Sequence, residues 1–395
     1  MTYQRVFIDL WSPFTGAMTL VLVSILLMTN GQSWGIFSGV LLWGDHLNYA
    51  LGLGPALGIH HLPENPLFHH ISLMNISLLM GSFSAALLAR QFTLSRSPSL
   101  EYLRAVFGGA MMAAGAVLAG GCTTGGFFTP LLLSSAAGWA MMAGLAVGAY
   151  LGIKLLSWSM RNIHWGSTPV PRGKIHPQLN NYRPVLGLLL LVAILAWALA
   201  WRLSSSPFLN TRSLLVISGL VLGFGLQRSR FCFSQVFHGP IIGIGSEMGL
   251  ALIKALSIGI PLAAIVLERG YIDAYQAIPT TFWLGSLLGG LLFGIGMVSA
   301  GGCGSGTLWR AGEGHLKLWL ALVTFAWTGS LIRGLLKQQG ILDTDFDIRF
   351  MNGAAEMSAL GFQAYLPDML GGWMATFAIC FSGLLICWWV LREKN

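Results

Sequence analysis

The chain reads as an all-α polytopic membrane protein, about ten spanning helices arranged in two inverted halves, and three observations predict this. Apolar residues recur in ten runs long enough to cross a hydrocarbon core. Only 9% of the 395 residues are charged, where soluble globular chains carry about 25%. A glycine-rich stretch also returns 181 residues later with a cysteine in the same place. Together the first two exclude a water-soluble enzyme, because the polar surface such a fold needs is missing.

A helix crosses the core with roughly 17–25 apolar residues. The runs are 12–29, 71–90, 105–121, 136–157, 185–202, 213–228, 245–267, 280–301, 317–336 and 369–391. The N-terminal MTYQRVFIDLWSPFTG has no basic region followed by a small-residue cleavage site, so the first run is expected to be retained rather than processed. Segment 34–58 is apolar but broken by Asp45, His46 and several glycines, which predicts an interfacial or re-entrant helix. The expected organisation is an N-terminal span with that segment (1–70), a first half (71–160), a basic loop (161–183), a second half (184–337), an outer loop (338–368) and a last span (369–395).

Orientation follows from the basic residues. With the N-terminus inside, fifteen Lys and Arg fall on cytoplasmic segments and six on outer ones, and 30–70 has none. The positive-inside rule therefore predicts both termini in the cytoplasm. The net charge of +8 does not indicate nucleic acid as a partner, because the cations cluster on no soluble segment. Five cysteines without a CxxC pair fit neither a disulfide framework nor a zinc module. His60, His61, His69 and His70 match no zinc spacing, and Asp343, Asp345 and Asp347 lack the glycine and terminal glutamate of a calcium loop, so no metal or other cofactor is expected.

The repeat aligns GGAMMAAGAVLAGGCTTG (108–125) with GGLLFGIGMVSAGGCGSG (289–306), with nine identities in eighteen positions. On the span map the run before Cys122 points outward and the run before Cys303 points inward, so the halves are inverted, as in transporters with a site at the repeat interface. Paired glycines let a helix unwind. A helix that restarts after the cysteine turns its unpaired N–H groups toward the sulfur, where an anion would also meet the thiol and nearby hydroxyls. The plainer alternative is close helix packing through small residues. A third cysteine lies in GFGLQRSRFCFSQVFHG (223–239), behind Arg228 and Arg230. Arginines at that depth mark ion routes or snorkel to the interface, and a nearby cation favours thiolate at Cys232.

AGGC (119–122) and AGGCGSGTLWRAGEG (300–314), with RSRFCF (228–233) between them, resemble the YeeE/YedE family of sulfur-transport membrane proteins over roughly 70–391. The resemblance implies an hourglass of inverted helices in the bacterial inner membrane, with cysteines along a narrow path. It implies uptake of thiosulfate or, for some members, a selenium compound, relayed between thiols and delivered to a small cytoplasmic sulfur-carrier protein. By motif, Cys122, Cys303 and Cys232 take the path positions, accompanied by Gly121, Gly302, Thr123, Ser305, Arg228 and Arg230. Where relatives resemble Phe-Arg-Asp, this chain has Phe237-His238-Gly239, so a charge pair on the cytoplasmic side is expected to be absent. Competing expectations are a membrane sulfurtransferase holding a persulfide on cysteine and a channel for small neutral solutes.

Overall fold

The computed structural model describes residues 3–162, 177–343, 346–350 and 353–393. All ten apolar runs are helices. They are α1 (Pro13–Met28), α3 (His70–Leu88), α4 (Ser99–Leu118), α6 (Ala136–Asn162), α7 (Pro177–Arg202), α8 (Pro207–Ser229), α10 (Glu247–Glu268), α12 (Leu284–Ala300), α14 (Leu316–Gln338) and α16 (Trp373–Arg392). Between them lie α2 (Phe37–Ala50), α5 (Thr129–Leu132), α9 (Phe233–Ile242), α11 (Ala274–Ala277), α13 (Gly304–Gly312) and α15 (Leu366–Leu370). Nine helical segments among the described residues are long and apolar enough to cross a membrane, and α1 is apolar but shorter. Together they make the protein a multi-pass membrane protein.

Helix starts follow local chemistry. The Ser12 hydroxyl accepts from the Thr15 N–H and Pro13 fills the first helical position of α1. His69 caps α3, its Nδ1 accepting from the Ser72 N–H at 3.2 Å. Burial, the largest influence, holds the His69 imidazole below its usual pKa, and the repulsion of Arg212 acts the same way against the attraction of Glu64. The neutral ring keeps the lone pair the cap needs. His69 is thus a capping residue within the histidine cluster.

The halves are inverted, as the repeat predicts. Gly108 of α4 meets Gly296 and Ala300 of α12, while Gly115 meets Gly289 and Phe293, so the two repeat helices run antiparallel. Glycine faces glycine here, and a Cβ on Gly289 would stand 2.6 Å from the Gly115 carbonyl oxygen. Small residues let the backbones close up where lipid offers no hydrophobic drive between helices. A second antiparallel pair is α1 with α8, where Gly16 lies against Ser229 and Thr19 against Gly225. α12 packs on α6 as α4 packs on α14, and α8 packs on α3 as α1 packs on α10. The same inversion therefore relates α1–α2–α3 to α8–α9–α10 without visible sequence identity.

α2 is 14 residues long, about 21 Å at 1.5 Å per residue, too short to cross, and it packs on α14 and α3. α7 and α16 flank the bundle, with only 17% of their most apolar stretches buried. α7 begins at Pro177, inside the segment expected to be a basic loop, whose residues 163–176, including Arg172 and Lys174, lie outside the described residues. The expected outer loop 338–368 carries a small antiparallel sheet, β1 (Phe346–Phe350), β2 (Gly353–Ser358) and β3 (Gly361–Phe362), in that order. Asp347 pairs with Glu356 across β1 and β2, Asp343 is exposed before the sheet, and Asp345 lies outside the described residues.

Candidate functional site

Three helices break, and each restarts on a cysteine. α4 stops at Ala119, and Cys122 is the cap residue of a π-helical turn, Thr123–Phe128, that runs on into α5. α12 stops at Gly301, and Cys303 caps α13. α8 stops at Arg230, and Cys232 caps α9. At the two repeat-related breaks the left-handed residue is the first glycine of each pair, Gly120 at φ 68° and Gly301 at φ 85°, which costs an L-residue about 1 kcal/mol or more. Cys122 and Cys303 then share an extended backbone, φ/ψ −80°/−167° and −80°/−177°. At the third break Arg230 itself takes φ 56°.

The three thiols converge. Cys232 Sγ lies 3.7 Å from Cys303 Sγ. A Cβ on Gly304 would stand 3.2 Å from Cys122 Sγ, and one on Gly306 2.6 Å from Cys232 Sγ and 3.3 Å from Cys303 Sγ. Only the lack of a side chain at Gly306 admits both sulfurs. Cys122 and Cys303 are fully buried and Cys232 nearly so. Cys303 Sγ accepts from the Gly306 N–H at 3.4 Å and has the Ser305 hydroxyl at 3.5 Å. Cys122 Sγ has the Thr124 hydroxyl at 3.1 Å, and that hydroxyl also accepts from the Ile36 N–H, tying the start of α2 to the cysteine. The hydroxyls of Thr123 and Thr307 are buried without a partner among the described residues.

Two cavities approach this thiol cluster from opposite ends of α4 and α14. One, of about 610 Å³, is lined by Cys232, Ser234, His238, Trp309 and the charged Glu101, Arg104, Arg230, Arg310 and Lys317. The other, of about 370 Å³, is lined by Gly120, Gly121, Gly125, Trp34, His70, Gln276 and Arg333. The first holds the N-terminal ends of both helices (Glu101, Lys317) and the second their C-terminal ends (Val117, Arg333), so about 25 Å of helix at 1.5 Å per residue separates them. Gly121 reaches the second cavity, and Gly302, whose N–H donates to the Met297 carbonyl, backs the Cys303 break.

Among the described residues, four cations around the larger cavity face one lining carboxylate. Glu101 receives both Arg104 and Lys317. Arg230 pairs with Glu313 at 2.7 Å and donates to Gln91 at 2.8 Å. Arg310 donates to the Gly301 carbonyl at 2.7 Å, bracing the glycine break. Burial pushes the Glu313 carboxyl upward, but His315 at 3.6 Å, the charge of Arg230 and the Gln227 amide together hold it below the usual carboxylate range.

Arg228 departs from the sequence expectation. It is completely buried, and its Nη2 donates to the carbonyls of Ile8 (2.7 Å) and Asp9 (3.1 Å). It does not line the Cys232 cavity but pins the N-terminal segment to the end of α8. Two residues on, the left-handed turn at Arg230 sends that side chain the other way, into the cavity. Sequence reasoning missed Arg104, Glu101, Lys317, Arg333 and Trp34 as cavity residues. Trp309, Arg310 and Glu313 were visible only as residues trailing the second Gly-Gly-Cys.

A bundle of broken, inverted helices with buried thiols between two cavities is the architecture of a membrane transporter. Residues 1–151 and 228–395 match the family model described as sulphur transport, and the chain belongs to that family. It is 28% identical over 328 residues to the probable transporter YedE of Escherichia coli, covering 79% of this chain and 78% of that protein. The thiosulfate transporter TsuA of Escherichia coli is 39% identical over 104 residues, 26% of this chain and 29% of the relative. TsuA of Spirochaeta thermophila is 32% identical over 105 residues, 26% and 31% of the two chains. The family and these relatives are named for transport, so the protein is a sulfur-transport membrane protein and not an enzyme.

Proposed function

We propose that the protein imports thiosulfate, handing the ion along Cys122, Cys303 and Cys232 from the Gly121 cavity to the Cys232 cavity. The observation that carries this is the convergence of three buried thiols, each at a helix break, between two cavities at opposite ends of α4. The name of the TsuA relatives supports the cargo. The many Lys and Arg around the Cys232 cavity support its facing the cytoplasm of a bacterial inner membrane, with both termini on that side.

The physics follows from the charge of the ion. A dianion taken into hydrocarbon without partners costs many kcal/mol, while a fixed full charge in the path would trap it. Neutral thiols and hydroxyls offer donors without that trap, and conduction needs sites good enough to enter yet weak enough to leave. Thr123, Thr307 and Ser305 stand beside the thiols as further donors. At the exit, Arg230 and Arg310 attract the ion, and a small sulfur-carrier protein is the expected acceptor beyond. Gly121 and Gly302 give the ion backbone on either side of the cysteines.

The test is uptake of radiolabelled thiosulfate into proteoliposomes, with selenite and selenate as competitors, for the wild type and for Cys122→Ala, Cys303→Ala and Cys232→Ala. Expected is a loss of at least tenfold for each variant at unchanged protein level. Uptake that survives both Cys122→Ala and Cys303→Ala sinks the relay. A stable gain of one sulfur on a cysteine of the purified protein, with sulfite released from the thiosulfate, would mean that the thiol keeps the sulfane sulfur as a persulfide and would overturn the relay.

A further inference from the structure

A third cavity, of about 330 Å³, shares no lining residue with the two that approach the thiols. Its walls come from α6, α9, α10 and α16, and its floor is Phe127, from the turn that Cys122 caps. Among the described residues its lining carries no charged or hydroxyl side chain. A water would need about two to four polar partners to occupy such a space, whereas apolar cavities accept apolar guests. The cavity also faces the lipid side of the bundle. Ile386 and Val390 on its α16 wall are 64% and 42% exposed, and Ala143 and Ala146 on its α6 wall are exposed as well.

Both ends of the cavity are defined. Trp139 of α6 meets α16 at Gly383, where a Cβ would stand 2.6 Å from the indole ring, and the two helices part toward Ala146 and Val390. At the far end the Ser246 hydroxyl donates to the Leu391 carbonyl at 2.8 Å and ties the start of α10 to the end of α16. Exposed charges of both signs surround that end. They are Arg392 and Glu393 of α16 with Glu247 and, two turns in, Lys254 of α10.

α9 divides this cavity from the Cys232 cavity. Gln235, His238 and Ile242 line the Cys232 cavity, while Phe237, Pro240 and Ile241 line the apolar one. Phe237 meets Phe127 edge-on at 5.4 Å between centroids, and Phe127 meets Phe233 at 5.9 Å. One aromatic wall therefore joins the turn after Cys122 to the half-helix after Cys232. Left unfilled, the cavity would deprive that wall of partner atoms on one side and forfeit their dispersion contacts.

We propose that this cavity binds one acyl chain of a zwitterionic phospholipid, which enters from the bilayer between α6 and α16 and braces α9 from behind. The phosphate pairs with Arg392 and the ammonium with Glu247 or Glu393, so the mixed charges at the mouth suit a headgroup carrying both. The guest is a structural lipid, distinct from the cargo and outside its path.

The test uses a phosphatidylethanolamine with a photoactivatable diazirine near the end of one acyl chain, reconstituted with the full chain in proteoliposomes and mapped by peptide mass spectrometry. Adducts are expected on residues 236–241 of α9 as well as on α16. Ala143→Trp and Ala146→Trp each fill the cavity from an exposed position. Each is expected to cut the α9 adducts about tenfold and to leave unchanged those on α7, which is exposed along Val185, Leu188 and Leu189. No adduct on α9 in the wild type, or α9 adducts that survive both substitutions, overturns the site. Unlabelled phosphatidylethanolamine should compete better than phosphatidylglycerol, and equal competition overturns the headgroup assignment. Hydrogen exchange reads the bracing: phosphatidylethanolamine returned to delipidated protein should slow exchange in α9 about tenfold in the wild type and leave Ala146→Trp nearly unchanged. Exchange in α9 that ignores the lipid overturns that role. Neither readout measures transport, so the site stands or falls apart from the import reading.

Discussion

The sulfurs of Cys232 and Cys303 lie 3.7 Å apart although 71 residues separate them in the chain, and each cysteine caps a different half-helix. A disulfide needs about 2.05 Å between sulfurs, so a closure of under 2 Å joins them. With Cys380 and Cys387 replaced by alanine, diamide is expected to take two hydrogens from this pair, form the bond and be reduced to its hydrazine. Peptide mass spectrometry should find Cys232 and Cys303 linked, and thiosulfate uptake should stop and return with dithiothreitol. Two thiols that both remain open to alkylation after diamide would contradict the geometry.

Gly306 offers a sharper probe of the same contact. A methyl group there meets Cys232 Sγ at 2.6 Å and Cys303 Sγ at 3.3 Å, so Gly306→Ala must push the thiols aside. The repeat partner Gly125 meets only Gly35 Cα, at 3.3 Å. Gly306→Ala is expected to cut uptake at least tenfold with thermal stability near wild type, since alanine favours the helix by about 1 kcal/mol. Gly125→Ala should cut it less. Equal uptake by the two variants would separate the thiol pair from the path.

The two neighbouring arginines should part company in any assay. Arg228→Ala removes charge-assisted hydrogen bonds to the Ile8 and Asp9 carbonyls, worth roughly 1.5–3 kcal/mol each at most, and leaves those carbonyls unsatisfied. It is expected to lower the melting temperature in detergent by several degrees while the KM of the protein that remains folded is unchanged. Arg230→Ala should act on transport kinetics, because its side chain lines the Cys232 cavity. A shift in KM from Arg228→Ala with unchanged stability would restore it to the path.

That contrast also marks where the sequence stops being informative. Long apolar runs dictate helices by length alone, so all ten were legible as helices, nine of them among the described residues long enough to cross, and nine identities exposed the α4/α12 inversion. The second inverted pair, α1 with α8, left no trace, because packing there asks only for small residues such as Gly16 and Gly225 and not for particular ones. Arg228 and Arg230 read alike because a left-handed φ on a non-glycine residue has no sequence signature. Trp34 and Arg333 were invisible as a pair: some three hundred residues of chain part them, and the folded bundle brings them to one cavity wall.

Glu313 sets an acid limit on the fold. Its side chain is 4% exposed and held by Arg230, Gln227 and His315, with a pKa below the usual range, so it binds protons more weakly folded than unfolded. Stability from this group is therefore complete above the unfolded carboxylate pKa of about 4.3 and is lost as pH falls through the lower folded value. The melting temperature in detergent should be insensitive to Glu313 protonation between pH 8 and about 5 and should drop in stronger acid. Glu313→Gln should cost roughly 3 kcal/mol at pH 7, the lower end for a broken buried pair because Arg230 is 34% exposed. The variant and the wild type should converge as the pH is lowered past the folded pKa, since both then lack the negative charge. A difference that stays constant down to acid unfolding would mean the residue acts through shape alone and that its charge plays no part in holding Arg230 at the cavity wall.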